Sequence, residues 1–148
     1  MKMNGSVRIY INKTVGNICL LKAYVTKIGY WKSMGYLIQT NRESLKSDIL
    51  SCIRESISVY QQEVEDAEPF KASPYKTWNK FFKYHDYISF RYDMEKKVFY
   101  ISMNERDEKT HSYGNPLPGC EFTLTEDDFD KKFDEIMDFL ISKVKMIK

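Results

Sequence analysis

The chain has 148 residues, 43% of them hydrophobic and 30% charged, with 11 Tyr, 9 Phe and 2 Trp against 6 Gly and 4 Pro. This is one domain's length with enough apolar material for a packed core, and it excludes a low-complexity chain and a typical two-domain enzyme. The formal net charge of +2 hides an asymmetry: residues 1–42 carry seven basic side chains and no acid, whereas 61–70 carry Glu63, Glu65, Asp66 and Glu68 and no base.

In chain order, Val7, Ile9 and Ile11 alternate with polar neighbours, the period of a half-buried strand. Val15-Gly16-Asn17 reads as a turn, and residues 18–25 as a second strand rich in β-formers. Residues 30–34 are ambiguous, and Tyr36 to Gln39 reads as a third short strand. Leu45, Ile49, Ile53 and Ile57 then recur every four residues, predicting an amphipathic helix from about 42 to 61, with Thr40 and Glu43 as a capping box. Residues 62–74 are acidic and end in Ser73-Pro74, the composition of a surface loop. A short helix is expected over 75–82, with Trp78, Phe81 and Phe82 on one side and Trp78 structural.

Residues 84–93 and 97–104 alternate as two strands of a hairpin around Met94-Glu95-Lys96. Residues 105–119 are polar and contain Gly114, Pro116, Pro118 and Gly119, which predicts a long loop before a short strand at 122–124. Thr125 and Asp128 mark the start of a second long helix, striped by Phe129, Phe133, Ile136, Met137, Leu140 and Val144. It is expected to run to near the C-terminus, with Lys143, Lys145 and Lys148 on its last turns. At a constant offset of 84, Gly35 maps to Gly119 and Leu45, Ile49 and Ile53 map to Phe129, Phe133 and Met137, an internal echo that any strand–helix pair could also produce. The expected architecture is α+β: one domain over 1–148, mainly antiparallel sheet, with two long amphipathic helices and one short helix.

Chemistry is sparse. His85 and His111 lack partners at metal-ligand spacing, and no Cys-x-x-Cys occurs, so no metal is expected. Cys19, Cys52 and Cys120 are odd in number and sit in apolar stretches, the pattern of reduced buried thiols in a cytoplasm. No Gly-rich or Walker-type phosphate loop is present, so no cofactor is expected. The start Met1-Lys2-Met3 leads straight into a strand pattern with no apolar leader, and no run approaches the roughly 20 apolar residues of a membrane span. Tyr10 and Tyr24 among basic residues could stack bases, which keeps a nucleic-acid-binding module open. Surface recognition is better supported. The acids Glu63, Glu65, Asp66 and Glu68 lie beside Tyr60, Phe70 and Tyr75, a potential anchor patch for a basic protein, and Glu105, Asp107 and Glu108 form a second acidic stretch.

A Gly-Tyr-Leu-Ile strand (35–38) before a long helix, the element Lys76-Thr77-Trp78-Asn79-Lys80-Phe81, the strand Tyr87-Ile88-Ser89-Phe90, a Gly/Pro stretch and a final helix follow one another. Over about residues 6–142 this order resembles the CdiI-like immunity proteins of contact-dependent growth inhibition systems. The resemblance implies a non-enzymatic cytoplasmic protein that binds and neutralises the C-terminal toxin domain of a CdiA-like exported protein; with no ligand cluster in the sequence, a monomer or weak dimer is expected. Such toxins are commonly nucleases, whose basic sites carboxylates can occupy. An uncharacterised enzyme or housekeeping domain is the third reading.

Overall fold

Val7, Ile9 and Ile11 on one side of the first strand and Tyr10 on the other belong to two separate apolar clusters, so the sheet is covered on both faces. The computed structural model describes residues 4–71, 73–107, 109 and 113–147. The elements are β1 (Asn4–Asn12), β2 (Ile18–Val25), β3 (Trp31–Thr40), α1 (Leu45–Ser58), α2 (Trp78–Lys83), β4 (His85–Asp93), β5 (Val98–Arg106), β6 (Tyr113–Thr125) and α3 (Glu126–Ser142). The six strands form one antiparallel sheet in the order β3-β2-β1-β4-β5-β6. The α+β fold with two long helices and one short one is as the periodicities imply.

Both long helices pack on one face, α1 over β1 and β2, α3 over β5 and β6. Their buried sides, Leu45, Ile49, Cys52 and Ile53 and then Phe129, Phe133, Ile136, Met137 and Leu140, close the main core against Ile9, Leu20, Phe90 and Ile101. On the opposite face, α2 and the segment before it cover only the part of the sheet around Tyr10, Cys19, Leu21 and Leu37. Trp78 is half-buried there, packed edge-on to Phe70 at 4.8 Å and stacked on Phe82 at 5.1 Å, the structural role its neighbours suggest.

The chain is a tandem repeat of a three-stranded meander and a helix. All five buried residues of α1 (Leu45, Ile49, Cys52, Ile53, Ser56) fall 84 positions before the five of α3 (Phe129, Phe133, Ile136, Met137, Leu140). Gly35 and Gly119, also 84 apart, both take positive φ, +71° and +76°, on the two edge strands. That conformation is nearly free of cost only for glycine. The two halves join through the central β1–β4 ladder, which runs from Asn4↔Asp93 to Asn12↔His85.

Three expectations are corrected. The capping box at Thr40 and Glu43 does not form: Ser44 is the N-cap of α1, its N–H held by Asn41 Oδ1 at 2.8 Å, while the Thr40 hydroxyl donates to Asp48 at 2.6 Å. The stretch expected as a loop from 105 to 119 is largely strand, because β5 runs to Arg106 and β6 starts at Tyr113. Its prolines stand on a sheet edge, where a missing N–H is tolerated. The last helix stops at Ser142, with Lys143 as C-cap, and the tail turns back so that Ile147 N–H reaches the Lys13 carbonyl at 2.6 Å. Lys145 therefore lies beyond the helix, and Lys148 lies outside the described residues.

Candidate protein-binding surface

After α1, Gln61 takes φ +57° and its N–H bonds to the Val25 carbonyl at 2.8 Å, which turns the chain across the sheet's edge. The segment then runs along β3. Glu68 N–H donates to the Gly35 carbonyl at 2.9 Å, and Leu37 N–H donates to the Pro69 carbonyl at 3.0 Å. Val64 and Ala67 turn inward and are half-buried, whereas Glu63, Glu65, Asp66 and Glu68 are exposed. The sequence-predicted acids are thus brought together on backbone held by the edge strand.

Lys32 and Asp66 form an ion pair at 2.8 Å, and the Lys32 ammonium holds the Asp66 carboxyl below the usual carboxylate range. Glu68 lies 3.7 Å from Lys71. Exposed pairs of this kind contribute little stability, so their acids are accessible to a partner at small cost. A shallow groove of about 430 Å³ lies between this segment and β3, lined by Met34, Tyr36, Glu65, Asp66 and Lys71 among others.

The aromatic anchors differ from those expected. Phe70 and Tyr75 are packed into the second core cluster against Phe81, and Tyr60 is half-buried. The aromatics open to solvent near the acids are Tyr36, 46% exposed, and Tyr30, 68% exposed. The signal for Tyr36 is Gly35: a pairing irregularity between Leu20 and Lys22, opposite Gly35, interrupts the alternation of β3 and leaves Leu37 buried while Tyr36 is open.

The second acidic stretch is not part of this surface. Glu105 and Asp107 lie at the end of β5, four strands from β3, and Asp107 Oδ1 accepts the Lys109 N–H at 2.8 Å. Glu108 and His111 lie outside the described residues.

The base-stacking expectation fails for a simple reason. Tyr10 and Tyr24 are each 3% exposed, and Tyr10 is enclosed by Phe81, Phe82 and Tyr87. Neither offers a ring face to nucleic acid.

Of the chemistry-bearing side chains, His85 and Cys19 lie beside Phe81 of α2, whereas Cys52 sits in the main core on the opposite face. His85 stacks on Phe81 at 3.9 Å and its Nδ1–H donates to the Phe81 carbonyl at 2.7 Å, with burial pushing its pKa down. Cys19 is buried, which pushes its thiol up to about 12, and Cys52 rises to about 11 for the same reason. A thiol that does not ionise near neutrality is a poor nucleophile. Among the described residues no group of three or more His, Cys, Asp or Glu is placed to hold a metal ion, and no helix is long and apolar enough to cross a membrane.

No family model and no curated protein matches the chain. Among solved structures it is similar to NMB0488 from Neisseria meningitidis, a protein of unknown function, with a TM-score of 0.60 and 12% identity over 95% of this chain and 94% of that one. At that identity the likeness is one of fold.

Proposed function

We propose that this chain is an immunity protein of the contact-dependent growth inhibition type, which binds and neutralises the C-terminal toxin domain of a CdiA-like exported protein in the cytoplasm. The motif order over residues 6–142 suggests the family, and the single observation that supports the binding role is the acidic segment. Glu63, Glu65, Asp66 and Glu68 stand exposed on backbone pinned to the β3 edge by hydrogen bonds at Gly35 and Leu37. A backbone already fixed before binding loses little conformational entropy on contact. They also draw in a basic partner such as a nuclease and disfavour acidic ones.

In this reading the chain acts by occupying a surface of the toxin, with Tyr36 as the apolar contact beside the acids. The test is co-purification and calorimetry with the toxin domain encoded next to this chain's gene. Stoichiometric binding together with loss of toxin activity supports the proposal; no binding to that domain refutes it.

A further inference from the structure

The two edge strands are equivalent in the repeat, yet among the described residues only β3 is crossed by another segment of the chain. At β3 the outer backbone groups, the Gly35 carbonyl and the Leu37 N–H, are bonded by the chain's own Glu68 and Pro69. Shifted by the repeat distance of 84, the corresponding groups on β6 are the Gly119 carbonyl and the Glu121 N–H. No turn or loop segment among the described residues crosses that edge as 61–69 crosses β3. An open edge of this kind is a template for another strand. Beside it, between β6 and α3, lies a groove of about 670 Å³ with Phe122, Ile136 and Phe139 as its apolar part and Glu121, Lys132 and Glu135 as its charged part. Phe139 is 39% exposed and meets Phe122 edge-on at 6.1 Å.

We propose that the occupant of this edge is a second copy of the chain, paired β6 to β6 in antiparallel fashion over residues 119–125 to give a twelve-stranded sheet. Three features favour a copy of itself. First, the fold already makes this joint once, since β1 and β4 join equivalent halves in an antiparallel ladder with α1 and α3 on the same face. Second, the groove is mixed in sign. Lys132 and Glu135 are one helical turn apart on α3, so an antiparallel two-fold partner can set each against the other, which a groove of one sign cannot do with itself. Third, Pro116 and Pro118 have no N–H to donate, which confines pairing to the seven residues after them and so fixes its register. The two 61–69 segments are then left at the outer ends of the joined sheet, open to other partners.

The test is sedimentation velocity on the full chain from micromolar to near-millimolar concentration. A concentration-dependent dimer is expected for the unaltered protein. Lys132→Glu alone, or Glu135→Lys alone, should raise the dimer dissociation constant about tenfold or more, because each change places like charges together twice across the two-fold. The double variant K132E/E135K should restore dimerisation. Phe139→Glu, at an exposed position, should abolish it with circular dichroism unchanged. A mass that stays monomeric at every concentration overturns the proposal. So does a dimer that ignores the charge changes. If the protein is monomeric and these variants instead lose toxin binding, the groove belongs to that partner and the proposal is wrong.

Discussion

Ser6 and Ser56 are joined inside the protein: the Ser6 backbone N–H donates to the Ser56 hydroxyl at 3.0 Å, and that hydroxyl donates in turn to the Ala23 carbonyl. Ser56 is fully buried in α1, so one helical side chain ties the helix to β1 and β2 at once. In the second repeat the corresponding buried position is Leu140. Ser56→Ala leaves a buried donor and a buried acceptor without this partner, and such groups cost about 1–3 kcal/mol each. A loss of about 2–3 kcal/mol in urea denaturation is expected, while Ser51→Ala on the exposed side of the same helix should stay within about 0.5 kcal/mol.

Gly5 is needed for the same contact. A Cβ built there would lie 2.8 Å from the Ile53 carbonyl oxygen and 2.9 Å from Ile53 Cγ2, and the first of these is backbone that cannot step aside. Gly5→Ala must therefore lift α1 off β1 and should cost about 1–3 kcal/mol, the range for an overpacked core. Chemical denaturation of Gly5→Ala beside Gly114→Ala, where the added methyl meets nothing within 4 Å, separates crowding from a general effect of losing glycine.

Much of this fold was legible because hydrophobic period and burial coincide. The stripe Leu45, Ile49, Ile53 and the stripe Phe129, Phe133, Met137 are the faces that α1 and α3 bury, and Thr125 does accept the Asp128 N–H at 3.2 Å. Ser56 was not legible, since a serine on an apolar stripe looks like a solvent position until the strand it serves is placed. β6 was hidden by Pro116, Pro118 and Gly119, which signal a loop locally but are compatible with an edge strand. In the candidate site the acids were legible from composition. Their aromatic neighbours were not, because Phe70, Tyr75 and Tyr36 differ only in which side of the β3 edge the fold puts them on.

His85 gives stability a pH dependence with a definite sign. Burial sets its folded pKa below the ordinary histidine value of 6.5. Above that pH both folded and unfolded forms are neutral. As the pH falls below 6.5 the unfolded chain takes up the proton first, so stability declines until the folded pKa is reached. Asp86, whose carboxyl burial raises from 3.8, works in the opposite sense: its contribution is lost as pH rises from 3.8 through the folded value. Melting temperatures should therefore drop as the pH is lowered just beneath 6.5, and His85→Gln should flatten that part of the profile whatever it does to the absolute melting point.

The three thiols should be silent in the native protein. Cys19, Cys52 and Cys120 are each at most 4% exposed, and the pKa values of Cys19 and Cys52 lie near 12 and 11. A thiol-reactive dye at mildly alkaline pH should label none of them until denaturant is added, and then all three. Rapid native labelling of any one would contradict the burial described.

The central claim is that the carboxylates along the β3 edge bind the toxin domain, and charge reversal there tests it most directly. Asp66 is kept, so that Lys32, its partner at 2.8 Å, is not set against a new lysine. Glu63→Lys, Glu65→Lys and Glu68→Lys together should leave the melting temperature nearly unchanged, since exposed substitutions usually shift stability by no more than about 0.5 kcal/mol. Calorimetry with the neighbouring toxin domain should then show affinity reduced at least about tenfold, slower association and a weaker salt dependence, with protection of cells lost. Glu105→Lys, four strands away, should bind as the unaltered protein does. Unchanged affinity of the triple variant for the toxin domain would contradict the account.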